Sequence, residues 1–126
     1  MPDAKRSALS KSQKRVRLAP SERQTLILDH VAEIVARDGV SALSMDRIGR
    51  EAGISKSLVY NYFPNITDLL RLLLQREWRR LRRQQVEAAQ KANTFEDLVR
   101  SVTHVYLKYI DERGMLIERL QAEPSV

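Results

Sequence analysis

The chain has 126 residues, a formal net charge of +6 and no cysteine. That length suits one domain or one small module with a helical partner, and the lack of cysteine excludes a disulfide framework and a thiolate metal site. No stretch approaches the roughly 18 unbroken apolar residues of a membrane span, and His30 and His104 lack metal-pair spacing. The expectation is a cytoplasmic protein with no metal, no cofactor and no membrane contact.

Residues 1–20 carry Lys5, Arg6, Lys11, Lys14, Arg15 and Arg17 against Asp3 alone, with no sustained apolar period. They read as a flexible basic arm ending at Pro20. A second basic block, residues 71–83, sets Arg71, Arg76, Arg79, Arg80, Arg82 and Arg83 against Glu77. Such blocks point to a polyanionic partner, and equally to a solvated face and a solubilising tail.

The first helix opens at Ser21, whose spacing to Gln24 fits a capping box. Ile27, Val31, Ile34 and Val35 recur at helical spacing, widened by Leu28 and Ala32, and Gly39 is a natural stop. Ser44 caps a short second helix with Met45, Ile48 and Ala52 on one face. Gly53 ends it, Ile54 plugs the connection, and Ser55 caps a third. Two short helices joined by a tight glycine turn are the sequence form of a helix-turn-helix.

Projected at 100° per residue, Lys56, Ser57, Tyr60 and Asn61 share roughly 140° of arc on the third helix. Leu58, Val59, Tyr62 and Phe63 occupy the opposite arc. One face enters a core, and the other is a narrow polar ridge that suits the DNA major groove, ~12 Å across. Ser55 and the first-turn N–H groups favour a phosphate oxygen. Lys56 reaches a phosphate or a guanine edge, and Ser57 permits close approach. Tyr60 offers its ring to a thymine methyl, and Asn61 can pair with adenine. Tyr62 sits at the edge of the inward arc, where a core ring and a phosphate contact are both open.

Beyond Pro64, Asn65 or Thr67 starts a fourth helix with Leu69, Leu70, Leu72, Leu73 and Leu74 around most of its circumference, as in a helix buried on several sides. It turns arginine-rich past Trp78 and frays through residues 88–93. Thr94 opens a fifth helix with a stripe of Phe95, Leu98, Val102, Val105, Tyr106 and Tyr109. Gly114 separates it from a sixth with exposed Leu116, Ile117 and Leu120. No alternating period occurs, so the fold class is all-α. The organisation is a basic arm over 1–20, a three-helix helix-turn-helix head over 21–66, and a linker helix leading into a partial helical C-terminal domain over 67–126.

No nucleophile elbow, phosphate loop or convergent carboxylate pair appears, which argues against an enzyme. Glu33, Asp38, Asp111, Glu112, Glu118 and Glu123 read as solvated carboxylates. Trp78, His104, Tyr106 and Tyr109 are candidates for lining an effector pocket.

The run "SMDRIGREAGISKSLVYNYFPNITDLL", with "RDGVSALSM" before it, resembles the signature of TetR-family transcriptional regulators across residues 21–75. The shared features are the Ser cap, the Ala-Gly-Ile-Ser turn, the aromatic run and the leucine-rich fourth helix. The resemblance implies a homodimeric repressor on a double-stranded, near-palindromic DNA operator, with a C-terminal domain for dimerisation and a small-molecule effector. Carried over by position, Ser44 would touch phosphate, and Ser55, Lys56, Ser57, Tyr60, Asn61 and Tyr62 match recognition-helix contacts. Three positions depart from the pattern: Ile66 for a phosphate-gripping lysine, Tyr62 for histidine, and Gly49 for alanine. Family members usually continue for several more helices, so this chain reads as a fragment or truncation, expected to dimerise weakly. Two other readings stay open: a regulator-like module that pairs with another regulator, and a basic coat for nucleic acid without sequence preference.

Overall fold

The computed structural model describes residues 19–126. The expectation for the basic arm therefore falls almost wholly outside the described residues. Among these, every regular element is helical: α1 (Pro20–Asp38), a single 3-10 turn (Val40–Ala42), α2 (Met45–Ala52), α3 (Lys56–Tyr62), α4 (Ile66–Gln90) and α5 (Phe95–Gln121). None is long and apolar enough to cross a membrane.

Most of the helix starts follow the local chemistry of the sequence. The side chains of Ser44, Ser55, Asn65 and Thr94 accept from the backbone N–H three residues on, at Arg47, Leu58, Asp68 and Asp97. Each satisfies one of the otherwise orphaned first-turn donors, an effect of about 1 kcal/mol per cap. The first helix differs from expectation. It begins two residues early, with Pro20 in its first turn and Ala19, in place of Ser21, as a cap without a side-chain bond. Proline has no N–H to leave unsatisfied and its fixed φ suits a helix start, so it displaces the Ser21 capping box.

Ile27, Val31, Ile34, Ile48, Val59 and Phe63 are fully buried and, with Leu69 and Leu73, form the core of the head. Each contributes roughly 1.5–3 kcal/mol of apolar burial. The leucines of α4 are divided: Leu69, Leu70 and Leu73 are buried, while Leu72 is exposed.

The expected break at Gly114 does not occur, because α5 runs unbroken from Phe95 to Gln121. A glycine inside a helix costs only about 1 kcal/mol relative to alanine. Just beyond it, Leu116, Ile117 and Leu120 are buried rather than exposed, and their burial outweighs that cost. Leu116 and Leu120 join the same core as α1, so the end of α5 packs back on the head. Arg119 Nη1 donates to Val35 O at 2.7 Å and Ala36 O at 2.8 Å, satisfying carbonyls in the last turn of α1.

Candidate nucleic-acid interface

The turn between α2 and α3 is set by two glycines. Gly53 takes a left-handed conformation, φ 72° and ψ 31°, which glycine adopts without the Cβ penalty. Its N–H and that of Ile54 close the helix end on Arg50 O and Gly49 O. Gly49 is buried where the start of α3 crosses α2, and an added Cβ would stand 2.9 Å from Ile54 O and 3.3 Å from the Lys56 nitrogen. Its departure from the alanine of the resemblance is thus a steric feature of this turn: the two backbones approach too closely for a methyl group.

α3 is anchored by Val59 within the helix and Phe63 at its end, both fully buried. On the opposite side Lys56, Ser57, Tyr60 and Asn61 are all exposed. Tyr60 keeps 47% of its surface open to solvent. Ser44 and Ser55 are exposed at the caps of α2 and α3. The structure thus brings six of the seven sequence candidates to the outer side of the two short helices. Tyr62 is the exception, half-buried and packed against the head core. Of the two readings left open for it, its position is that of a core ring at the rim.

Ion pairs hold α2 to α1. Arg47 donates to Asp38, which it contacts at 2.5 Å, and to Ala42 O at 3.3 Å, while Arg37 spans Asp38 and Glu51. The Arg47 guanidinium outweighs desolvation and, with Arg37, holds the Asp38 carboxyl below its usual range. Asp38, read as merely solvated, is instead a tether between these elements. In the sequence it is one charge among many, and nothing local marks it.

Between α4 and α5 lies a polar cluster that the sequence reading missed. Glu77 is fully buried. Arg113 forks onto its carboxylate, Nε to Oε2 at 2.7 Å and Nη2 to Oε1 at 2.6 Å. The Tyr109 hydroxyl donates to Oε2 and lies 3.0 Å from the Glu77 carbonyl oxygen. Burial alone would push the Glu77 carboxyl up, but Arg113 and Tyr109 more than offset it and hold the group below its ordinary value. The same burial, with the adjacent carboxylate, raises the Tyr109 hydroxyl. One signal was available: Leu70, Leu73, Glu77 and Leu81 fall at i, i+3, i+7 and i+11, which sets a carboxylate on an apolar stripe.

The four effector-pocket candidates do not meet. Tyr109 is committed to Glu77. His104 lines a cleft with Gln84, Lys91 and Lys108. Trp78 and Tyr106 share a different cleft, with Leu81, Arg82 and Gln85.

A capped two-helix unit on a three-helix core, with its second helix presenting an outward polar ridge, is the arrangement of a helix-turn-helix. Residues 27–73 match the family model of bacterial regulatory proteins of the tetR family. Two crystal structures share the fold. A TetR-family transcriptional regulator from Haemophilus influenzae aligns with a TM-score of 0.69 at 19% identity, over 81% of this chain and 58% of that one. A protein from Shewanella sp. PV-4, described as a tetR family transcription regulator, aligns with a TM-score of 0.69 at 17% identity, over 82% of this chain and 57% of that one. This chain therefore spans less than three fifths of either relative. No curated protein sequence matches it.

Proposed function

We propose that the chain is the DNA-reading part of a sequence-specific transcriptional regulator, with α3 as the helix that enters the major groove. The observation that carries this reading is the division of α3. Val59 is completely buried, while Lys56, Ser57, Tyr60 and Asn61 stand exposed on the other face. Tyr60, with 47% of its surface open to solvent, can supply apolar contact to a thymine methyl in the groove. Ser44 and Ser55 flank the ridge, where hydroxyls contact backbone phosphates and set orientation rather than sequence preference.

The reading extends to a homodimer that acts as a repressor on a near-palindromic operator and is released by a small-molecule effector. Two heads on such a site stand about 34–36 Å apart, one turn of DNA. Selection from random duplexes tests the core of the reading. The expected outcome is a defined motif bound roughly a thousandfold or more over random DNA. Recovery of unenriched sequence at equal affinity would instead identify a non-specific nucleic-acid coat.

A further inference from the structure

The outer side of α2 carries two charged flanks that are held differently. Projected at 100° per residue from Met45, the inward residues Met45, Ile48, Gly49 and Ala52 span roughly 300° to 40°. Arg47 and Glu51 fall at roughly 200–240° on one side of that arc, and Asp46 and Arg50 at roughly 100–140° on the other. The first flank is tied to the end of α1, through Arg47 with Asp38 and Glu51 with Arg37. The second adjoins Gly49, whose Cβ position abuts Ile54 O and the Lys56 nitrogen. Asp46 and Arg50 therefore lie on the side of α2 nearest the start of α3, where the polar ridge begins.

The side chains of Arg50 and Asp46 are 73% and 66% open to solvent, and Arg50 Nε stands 3.8 Å from Asp46 Oδ2. That separation is beyond hydrogen-bond distance. An exposed i, i+4 pair of this kind adds little to a helix. Of the three cations on α2 and α3, Arg47 is committed to Asp38, while Arg50 and Lys56 border the ridge. A stronger partner can thus take the Arg50 guanidinium at little cost to the fold.

We propose that Arg50 contacts a DNA phosphate and that Asp46 competes with the DNA for it, an electrostatic brake on sequence-independent affinity. This assignment rests on the reading of α3 as the groove helix. With α3 in the major groove, the first helix of the motif crosses the sugar–phosphate backbone. The flank of α2 beside the start of α3 is the one that meets it. A guanidinium there can fork onto phosphate oxygens, a stronger contact than its exposed pairing with Asp46. The same location sets the Asp46 carboxylate beside phosphate, which is repulsive. Because phosphate contacts position the protein without reading sequence, both effects should be uniform across duplexes.

The test measures binding of the 126-residue chain to two labelled duplexes of equal length by fluorescence anisotropy across a salt series. One duplex carries the motif recovered by selection, and the other is random in sequence. Arg50→Ala should weaken both by roughly five- to tenfold at 0.1 M salt and make the salt slope shallower by about 0.9, the contribution of one phosphate. Arg50→Lys keeps the charge and should keep the wild-type slope. Asp46→Asn should tighten both duplexes by about threefold, the scale of a surface ion pair, and Arg50→Ala should remove most of that gain. Thermal melts should match the wild type throughout, since both side chains are exposed. An unchanged slope in Arg50→Ala, or no tightening in Asp46→Asn, overturns the proposal. So does a loss confined to the selected motif, which would make Arg50 a base reader. Tyr60→Ala separates this failure from that of the parent reading. If Tyr60→Ala loses the motif while Arg50→Ala loses nothing, α3 still reads DNA and only the role of Arg50 falls. If selection yields no motif and neither substitution alters binding, both fall.

Discussion

On α3, the polar residues Lys56, Ser57, Tyr60 and Asn61 share one face and stand open to solvent. On α4, Glu77 lies on the buried face between Leu73 and Leu81, completely enclosed. Both arrangements obey the same helical period, yet the groups meet opposite fates. A whole polar face needs no partner from the protein, because water satisfies it until a ligand does. A single carboxylate in an apolar stripe must find its partners within the fold, because an unpaired buried charge is strongly destabilising. Tyr109 and Arg113, one helical turn apart on α5, are those partners. The head therefore displays its polar chemistry, and the helical pair behind it uses polar chemistry to fix how α4 and α5 meet.

The largest effect should come from breaking the buried side of this contrast. Arg113→Ala leaves the Glu77 carboxylate enclosed without its guanidinium and should cost roughly 3–5 kcal/mol in denaturant unfolding. DNA affinity per folded molecule should be unchanged. The pH dependence sharpens the point. The folded-state pKa of Glu77 lies below its unfolded value. Its contribution to stability is therefore fully present above the ordinary carboxylate range and is lost as pH falls through the depressed value. Acid unfolding curves of the wild type and Arg113→Ala should diverge above that range and converge in strong acid. Parallel curves would show that Glu77 is not held as described.

Phe63→Ala should come next, at about 3–5 kcal/mol, through loss of a fully buried ring at the end of α3. The opposite face of the same helix supplies the control. Tyr60→Ala should shift stability by no more than about 0.5 kcal/mol while weakening operator binding about tenfold, through a contact worth roughly 1–3 kcal/mol. Thermal melts beside gel shifts separate the two. If Tyr60→Ala unfolds the head and leaves binding per folded molecule intact, the ridge is structural.

Gly49→Ala tests the turn itself. The added methyl meets backbone at 2.9 Å rather than a yielding side chain, so a loss of about 1–3 kcal/mol is expected. An unchanged melting temperature would mean that α2 and α3 part readily. The smallest effect on sequence discrimination should follow removal of residues 1–18. Affinity for operator and random duplexes should fall by similar factors, and the salt slope should become shallower by about 0.9 for each phosphate those residues neutralise. An unchanged slope would make the segment a passive tail.

Much of the fold was legible in the sequence because its signals are local. The side-chain caps at Ser44, Ser55, Asn65 and Thr94, the glycine turn at Gly53 and the two faces of α3 each depend on neighbours within a few positions. Cap chemistry and a 3.6-residue period act at that range. The ridge candidates followed from the same period, and so did the buried pair Val59 and Phe63.

What tertiary structure alone decided depends on contacts across long separations. Gly114 continues as helix because residues beyond it find α1, about 80 positions earlier in the chain, and that burial exceeds a glycine's helical cost. Nothing local marks Arg119, and its role exists only once it reaches the carbonyls of Val35 and Ala36. Glu77 stood as a lone acid in a basic block, although its place on the leucine stripe could be read from spacing. Its partners could not, because Tyr109 and Arg113 lie more than 30 residues away on another helix. Sequence period assigns each residue to a face of its own helix. Which face meets which is set by the packing of helices distant in sequence, and there a buried charge becomes a strong constraint.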